Sequence, residues 1–293
     1  MKDMKYTKNI IGIGVLGLLF MTTACSSESD AMEEREIMTF RVVHPNASID
    51  SRVTETAFET NDLIGLFLTE QNVPLEVSGN YVNNASLSFM DDEWLPEKTI
   101  YWNEGNYDAY AYFPYVSPVP SVDDMPFTVS LDQSVPENYE ASDFLWAGKK
   151  GLVASDGDVN LQFSHRMSRL VVKLVKGEDY EGDLPEEAEV LVHNTVPSST
   201  IDLSVGIVTR NAYAAAQTIR AKSLGDQKYA AIIVPQRLNN RQPLVEVVMK
   251  GVSYLYESRF LFKPGIQHNV LLVVSKNPEQ IKIEIGGEIE DWN

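Results

Sequence analysis

One thiol, four imidazoles and an excess of carboxylates are the groups in this chain that could do chemistry. The thiol belongs to Cys25, the single cysteine, which follows Thr22-Thr23-Ala24. Ahead of them lie an apolar run from Ile10 to Met21 and a basic start at Lys2, Lys5 and Lys8. A basic start, an apolar middle and small residues before a cysteine form the pattern of a lipoprotein signal. In that pattern the thiol is acylated and the cysteine becomes the new N-terminus. The apolar run falls short of the ~20 residues that cross a bilayer. Residues 1–24 are therefore expected to be a signal peptide, with lipidation at Cys25. Thr22 departs from the pattern, which usually has an aliphatic residue there; an ordinary signal with a chance cysteine is the competing reading.

The histidines are His44, His165, His193 and His268, and none is spaced with another ligand for a metal ion. Asp156-Gly157-Asp158 lacks the remaining ligands of a calcium loop and reads as a turn. The chain has no Gly-x-Ser-x-Gly elbow, Walker loop or dinucleotide fingerprint. With 42 Asp and Glu, carboxylate pairs that mimic a glycosidase site arise by chance. The expectation is no catalysis, no cofactor and no metal. Tyr107, Tyr110, Tyr112, Phe113 and Tyr115 could stack on a sugar, but packing explains them better.

One cysteine also rules out an intrachain disulfide, so stability must come from core burial. The chain of 293 residues carries −18, and its leader holds three Lys and one Asp, which leaves about −20 behind it. Such a field repels nucleic acid and anionic membrane, and suits a soluble body held to a membrane by lipid.

The elements that must carry these groups are short strands. Residues 25–36 are small and acidic and read as a tether. From Ile37 to His44 the sequence alternates, with Met38, Phe40 and Val42 on one face. Pro45-Asn46-Ala47-Ser48 ends that strand, and Asp50-Ser51-Arg52 sits in a loop expected to be exposed. Leu63 to Leu68 reads as a buried strand. Tyr81–Phe89 is mixed in pattern, Thr99–Trp102 reads as a strand, Tyr107–Phe113, Phe127–Leu131 and Val159–Phe163 alternate, and Phe144–Ala147 is an apolar piece before Gly148. Past Leu170–Val175 come Glu189–His193, Ile201–Leu203, Tyr229–Val234, Leu244–Met249, Tyr254–Phe262, Val270–Val274 and Ile281–Ile285. The one helix-like piece is Ala212 to Ile219. Many short strands with regular turns indicate β-sandwiches. The expected domains are residues 37–165 and 166–293.

Dispersed short motifs carry a family resemblance. They include Phe58-Glu-Thr-Asn-Asp62-Leu-Ile-Gly65, Ile100-Tyr-Trp102, Tyr110-Ala-Tyr112-Phe-Pro114-Tyr115 and Ser142-Asp143-Phe-Leu145-Trp-Ala147. Phe163-Ser-His165-Arg-Met-Ser168-Arg-Leu170, Phe262-Lys-Pro-Gly265 and Ile289-Glu-Asp-Trp292 follow. In order and spacing the chain resembles the fimbrillins, the subunits of type V pili. The resemblance implies an all-β fold of two tandem transthyretin-like β-sandwich domains. It implies a lipoprotein held at the cell outer membrane through Cys25 and displayed at the surface or in a fimbria. It also implies cleavage by an arginine-specific protease after the first strand, where Arg52 stands. Arg41 lies inside the strand, and Arg35 lies before it.

Loss of the first strand would uncover the slots of Met38, Phe40 and Val42, and a partner strand could fill them. Ile281, Ile283 and Ile285 alternate with Lys282 and Glu284 and could act as such a donor. The competing reading makes both segments permanent strands of their own sheets, and for the C-terminal segment the two readings stand level. The expected partners are other pilus subunits by β-strand addition, and no nucleic acid. The alternative is a monomeric lipid-anchored surface protein that binds a glycan or host ligand.

Overall fold

A computed structural model describes residues 35–45, 57–277, 282–284 and 289–291. The first described strand is β1 (Phe40–Val43), followed by β2 (Leu63–Glu70), β3 (Val82–Met90), β4 (Glu93–Pro96), β5 (Tyr107–Phe113) and β6 (Met125–Thr128). After a short helix α1 (Pro136–Glu140) come β7 (Leu145–Leu152), β8 (Val159–Gln162), β9 (Ser164–His165) and β10 (Ser168–Lys176). Then follow β11 (Glu189–Thr195), β12 (Ser198–Asp202), β13 (Ile207–Arg210), β14 (Gln217–Arg220), β15 (Lys222–Gly225) and β16 (Lys228–Ile233). The last described strands are β17 (Gln236–Met249), β18 (Val252–Phe262), β19 (Ile266–Val274), β20 (Lys282–Glu284) and β21 (Ile289–Asp291). The protein is all-β.

The described strands form five sheets. One is six-stranded and antiparallel, in the order β4-β3-β2-β5-β7-β9. The second pairs β1 with β8 in parallel. The third is β13-β12-β6 and the fourth β14-β11-β17-β18. The fifth runs β15-β16-β10-β19-β20, with β21 also on β19. Its central pair, β10 and β19, is parallel. Turn chemistry fits the connections: Asp91 and Asp92 both take positive φ in the tight β3–β4 hairpin, as a type I′ turn requires.

The first sheet is buried on both faces, which is why β2 and β5 read as nearly unbroken apolar runs. Side chains alternate across a strand, so the two faces belong to different cores. Ile64, Leu66, Leu68, Ala109 and Ala111 face one core, together with Met38, Phe40, Val159 and Leu161. Phe67, Tyr110 and Tyr112 face the other, together with Phe127, Tyr139, Phe144 and the apolar side chains of β10, β11, β16 and β17. The Tyr112 ring lies directly over Gly65 on the paired strand, and a Cβ there would stand 2.2 Å from Tyr112 Cε1.

This second core runs across residue 165, where the two expected domains meet. β6 pairs with β12 from Thr128 opposite Ser198 to Met125 opposite Ile201. The fully buried Gln133 behaves as an extra piece of strand, accepting from Ile232 N at 2.7 Å and donating to Ile232 O at 2.8 Å. Its own backbone N donates to Arg220 O at 2.9 Å. Trp146 adds a clamp: its Nε1 donates to Leu203 O at 2.7 Å, and the Arg166 guanidinium lies 4.7 Å from its ring centroid.

Two sequence expectations are corrected. Ala212 to Ile219 is not a helix. Tyr213 N bonds Asn211 Oδ1 in a turn, and Gln217–Arg220 is a strand with Ile219 turned into the core. Burial of one alternating residue overrides the helix propensity of exposed alanines. The helix is instead α1, with Pro136 in its first turn and Tyr139 buried. Thr99–Trp102 is extended, but it forms a single bridge, Tyr101 opposite Ile37, rather than a strand ladder.

Gln133→Leu keeps the volume but leaves Ile232 N and O buried without partners. It should cost about 2–4 kcal/mol. Chemical denaturation checks this, and a loss below about 0.5 kcal/mol would show that the staple is dispensable.

Candidate functional site

The first strand lies in a slot rather than at an open sheet edge. Its groups bond along both edges. Met38 N donates to Ile100 O at 2.8 Å, and Glu36 O accepts from Trp102 N at 2.7 Å. On the other edge Thr39 O accepts from Val159 N at 2.8 Å, and Val43 O accepts from Phe163 N at 3.1 Å. Phe40 to Val43 stand in parallel register with Val159 to Gln162. The strand thus runs between the extended segment at 100–102 and β8, and β8 has no other ladder partner among the described residues.

The expected face is the buried one. Met38 is 1 % exposed and Phe40 8 %, while Val42 is half-buried against the same core. Thr39 and Arg41 point to solvent. The walls are Trp94, Ile100 and Trp102 on one side, Val159, Leu161 and Phe163 on the other, with Leu66 and Leu68 of the first sheet in the same core. Burying a side chain such as Met38 or Phe40 stabilises by about 1.5–3 kcal/mol. These walls were not singled out in the sequence as parts of a site. The available signal is Ile100-Tyr-Trp102, which reads as a strand and as one of the motifs of the family resemblance.

An aromatic cluster closes the far end of the strand. His44 meets Phe58 edge-on at 4.9 Å, and Phe58 in turn meets Trp94, Phe113 and Phe163 at 5.0 to 5.8 Å. His44 and Phe58 flank residues 46–56, so their contact ties together the two ends of the segment that holds Arg52. Behind His44 stands His165, whose Nδ1 is 2.9 Å from Asp143. Burial first and His165 second lower His44 to about 4, with Asp143 opposing them.

The other sequence candidates are placed as follows. Ile283 lies in β20, opposite Leu272 of β19. Cys25, Arg52, Ile281 and Ile285 lie outside the described residues. Tyr107, Tyr110 and Tyr112 are at most 4 % exposed and belong to the cores. Asp156 accepts from Val153 N within its turn, and Asp158 accepts from the Thr39 hydroxyl of the first strand. Among the described residues no group of three His, Cys, Asp or Glu is placed to hold a metal ion. No helix among them is long and apolar enough to cross a membrane.

The profile of the fimbrillin-like family matches residues 51–292. The chain belongs to the fimbrillin-like family. No curated protein matches it in sequence. Among solved structures it is similar to a candidate cell adhesion protein from Bacteroides uniformis, with a TM-score of 0.70 and 17 % identity over 89 % of this chain and 99 % of that one. A second candidate cell adhesion protein, from Bacteroides ovatus, gives 0.67 and 18 % over 88 % and 98 %. A fimbrial protein from Bacteroides vulgatus gives 0.55 and 13 % over 88 % and 100 %. At such identities the likeness is one of fold.

The family motifs fall where the fold is held together. Asp143 bonds His165, the Trp146 ring clamps Leu203, and Gly265 N donates to Met167 O at 2.8 Å with Gly265 at a positive φ.

His44 also sets a pH dependence. The unfolded chain takes up this proton near pH 6.5 and the folded chain near 4, so acidification through that window favours unfolding. Melts at pH 7 and pH 4.5 should show the wild type losing more stability than His44→Phe, by on the order of 1–3 kcal/mol. Equal losses would mean that His44 is not held neutral against the strand.

Proposed function

We propose that this chain is a lipid-anchored subunit of a surface fimbria that joins its neighbours by exchange of its first strand. It belongs at the cell surface or in a fimbria, with other subunits as partners. The observation that carries the mechanism is the slot: over residues 36–43 the first strand buries Met38 and Phe40 and is bonded along both edges. Without β1 the slot would present two rows of unpaired backbone groups above an apolar floor. An incoming strand could satisfy both rows and refill the Met38, Phe40 and Val42 sites.

In this reading Cys25 carries the acyl chains and residues 25–36 form the tether. Two or three chains, at ~0.8 kcal/mol per buried CH₂, hold firmly where one binds reversibly. An arginine-specific protease cuts after Arg52 and frees residues 25–52 from the body. The donor is the segment of Ile281, Ile283 and Ile285. Among the described residues β20 pairs with β19 at three positions, at the rim of its sheet, which suits a segment that leaves it. The two sandwich domains, 37–165 and 166–293, act together as one building block, joined by the β6–β12 ladder and Gln133. The fold then serves as structure and not as catalyst.

A second reading keeps the anchor but not the exchange: a monomeric surface protein that binds a glycan or host ligand. It is favoured by the completeness of the slot, since β1 already fills it and leaves nothing for a partner strand to add.

Limited digestion of the protein lacking residues 1–24 with an arginine-specific protease separates the two. Exchange predicts a single early cut after Arg52, loss of the N-terminal piece by intact mass, and growth of oligomers on sizing. The Arg52→Ala variant should stay uncut and monomeric. A cut protein that remains monomeric with its strand in place would sink the exchange reading.

A further inference from the structure

The outer face of the four-stranded sheet carries a recess of about 360 Å³. Two strand irregularities build it. The ladder between β11 and β14 shifts between Val192 and Thr195, where Asn194 takes a φ of 60°. The ladder between β17 and β18 shifts between Pro243 and Val245. Asn194 Nδ2 donates to Pro243 O at 2.8 Å and ties the two irregularities together. Bulges of this kind bend strands and re-aim side chains, and they recur beside binding sites.

A row of four side chains, one from each strand of the sheet, crosses this region. Thr218 Oγ1 lies 2.8 Å from His193 Nδ1, and His193 Nε2 lies 2.8 Å from Glu246 Oε2. Ser253 Oγ donates to Glu246 Oε1. A carboxylate only accepts, so Nε2 carries the proton, and in the neutral ring Nδ1 accepts from the Thr218 hydroxyl. The hydroxyls of Thr218 and Ser253 therefore spend their hydrogens inside the row and keep their lone pairs for a ligand. Asn194 has likewise spent an amide hydrogen on Pro243. The Ser253 hydrogen bond holds Glu246 below the usual carboxylate range, so the row keeps its accepting end.

The recess is thus rich in acceptors, with Pro243 and the exposed Leu255 as apolar wall. The connection that supplies its Ala216 carries Tyr213, wholly exposed. We propose that this recess binds a neutral sugar, whose hydroxyls donate to Thr218, Glu246 and Asn194 while its apolar face rests on Pro243 and Leu255. Hydroxyl donors in a ring with an apolar face are what an acceptor row beside an apolar wall complements. The net charge of −18 disfavours sialylated or sulfated sugars. The site does not rest on strand exchange, because no side chain of the β1 slot lines it.

The test titrates the full, uncut chain with galactose, glucose, mannose and N-acetylglucosamine by saturation-transfer NMR. N-acetylneuraminic acid and free lysine serve as charged comparators. At least one neutral sugar should bind, and Thr218→Val and Glu246→Gln should each weaken it about tenfold or more. Both substitutions keep side-chain shape on a solvent-facing row, and an unchanged melting temperature would show that the fold is intact. The proposal is overturned if no neutral sugar binds, if a charged comparator binds in preference, or if both variants retain the affinity. Because the chain is uncut, none of these results depends on whether Arg52 is processed.

Discussion

The six-stranded sheet β4-β3-β2-β5-β7-β9 has two apolar faces, and each needs cover. A sheet that is apolar on both sides cannot be left facing water, because every large side chain exposed forfeits about 1.5–3 kcal/mol. The second half of the chain covers the face of Phe67, Tyr110 and Tyr112. The face of Ile64, Leu66 and Leu68 has a thinner roof, made of β1, β8 and the segment at 100–102. That inequality gives the molecule its character. One face is sealed by a large core with buried polar staples, and the other by a roof whose middle piece is four residues long. The first strand packs on one of these cores only: Met38 and Phe40 belong to the core of Ile64, Leu66 and Leu68.

The sequence made the inner strands legible and the pairing partners illegible. Leu63 to Leu68 and Tyr107 to Phe113 read correctly because burial on both faces leaves an apolar signature that needs no context. The alternation of Met38, Phe40 and Val42 gave the buried face of β1 for the same reason. Nothing in those residues says that β1 runs parallel to a strand almost 120 positions later, since parallel pairing depends on the path of the whole chain. The strands at Ile207–Arg210 and Lys222–Gly225 escaped notice because they are largely exposed and carry little periodicity. The row of His193, Thr218, Glu246 and Ser253 was equally hidden. Its members lie up to 60 positions apart and meet only because four strands sit side by side.

The solved relatives share about a sixth of their residues with this chain and nearly all of its path. The motifs that carry the family resemblance in this chain sit at points where its fold is fastened. They hold junctions: an aspartate on a histidine, a tryptophan clamped by a carbonyl, a glycine at a turn that takes positive φ. Their order along the chain therefore speaks for the fold. The function has to be argued from the one thin roof and from what could replace it.

The central claim is that the slot beneath β1 is a strand-binding site in its own right. The direct measurement is binding of a labelled synthetic peptide spanning residues 36–44 to protein whose own N-terminal piece has been cut at Arg52 and washed away in mild denaturant. The account predicts saturable uptake of one peptide per chain, lost when Met38 and Phe40 of the peptide are both replaced by Asp. Uptake indifferent to those two residues, or a stripped protein that takes up no peptide although its second core stays folded, would contradict it.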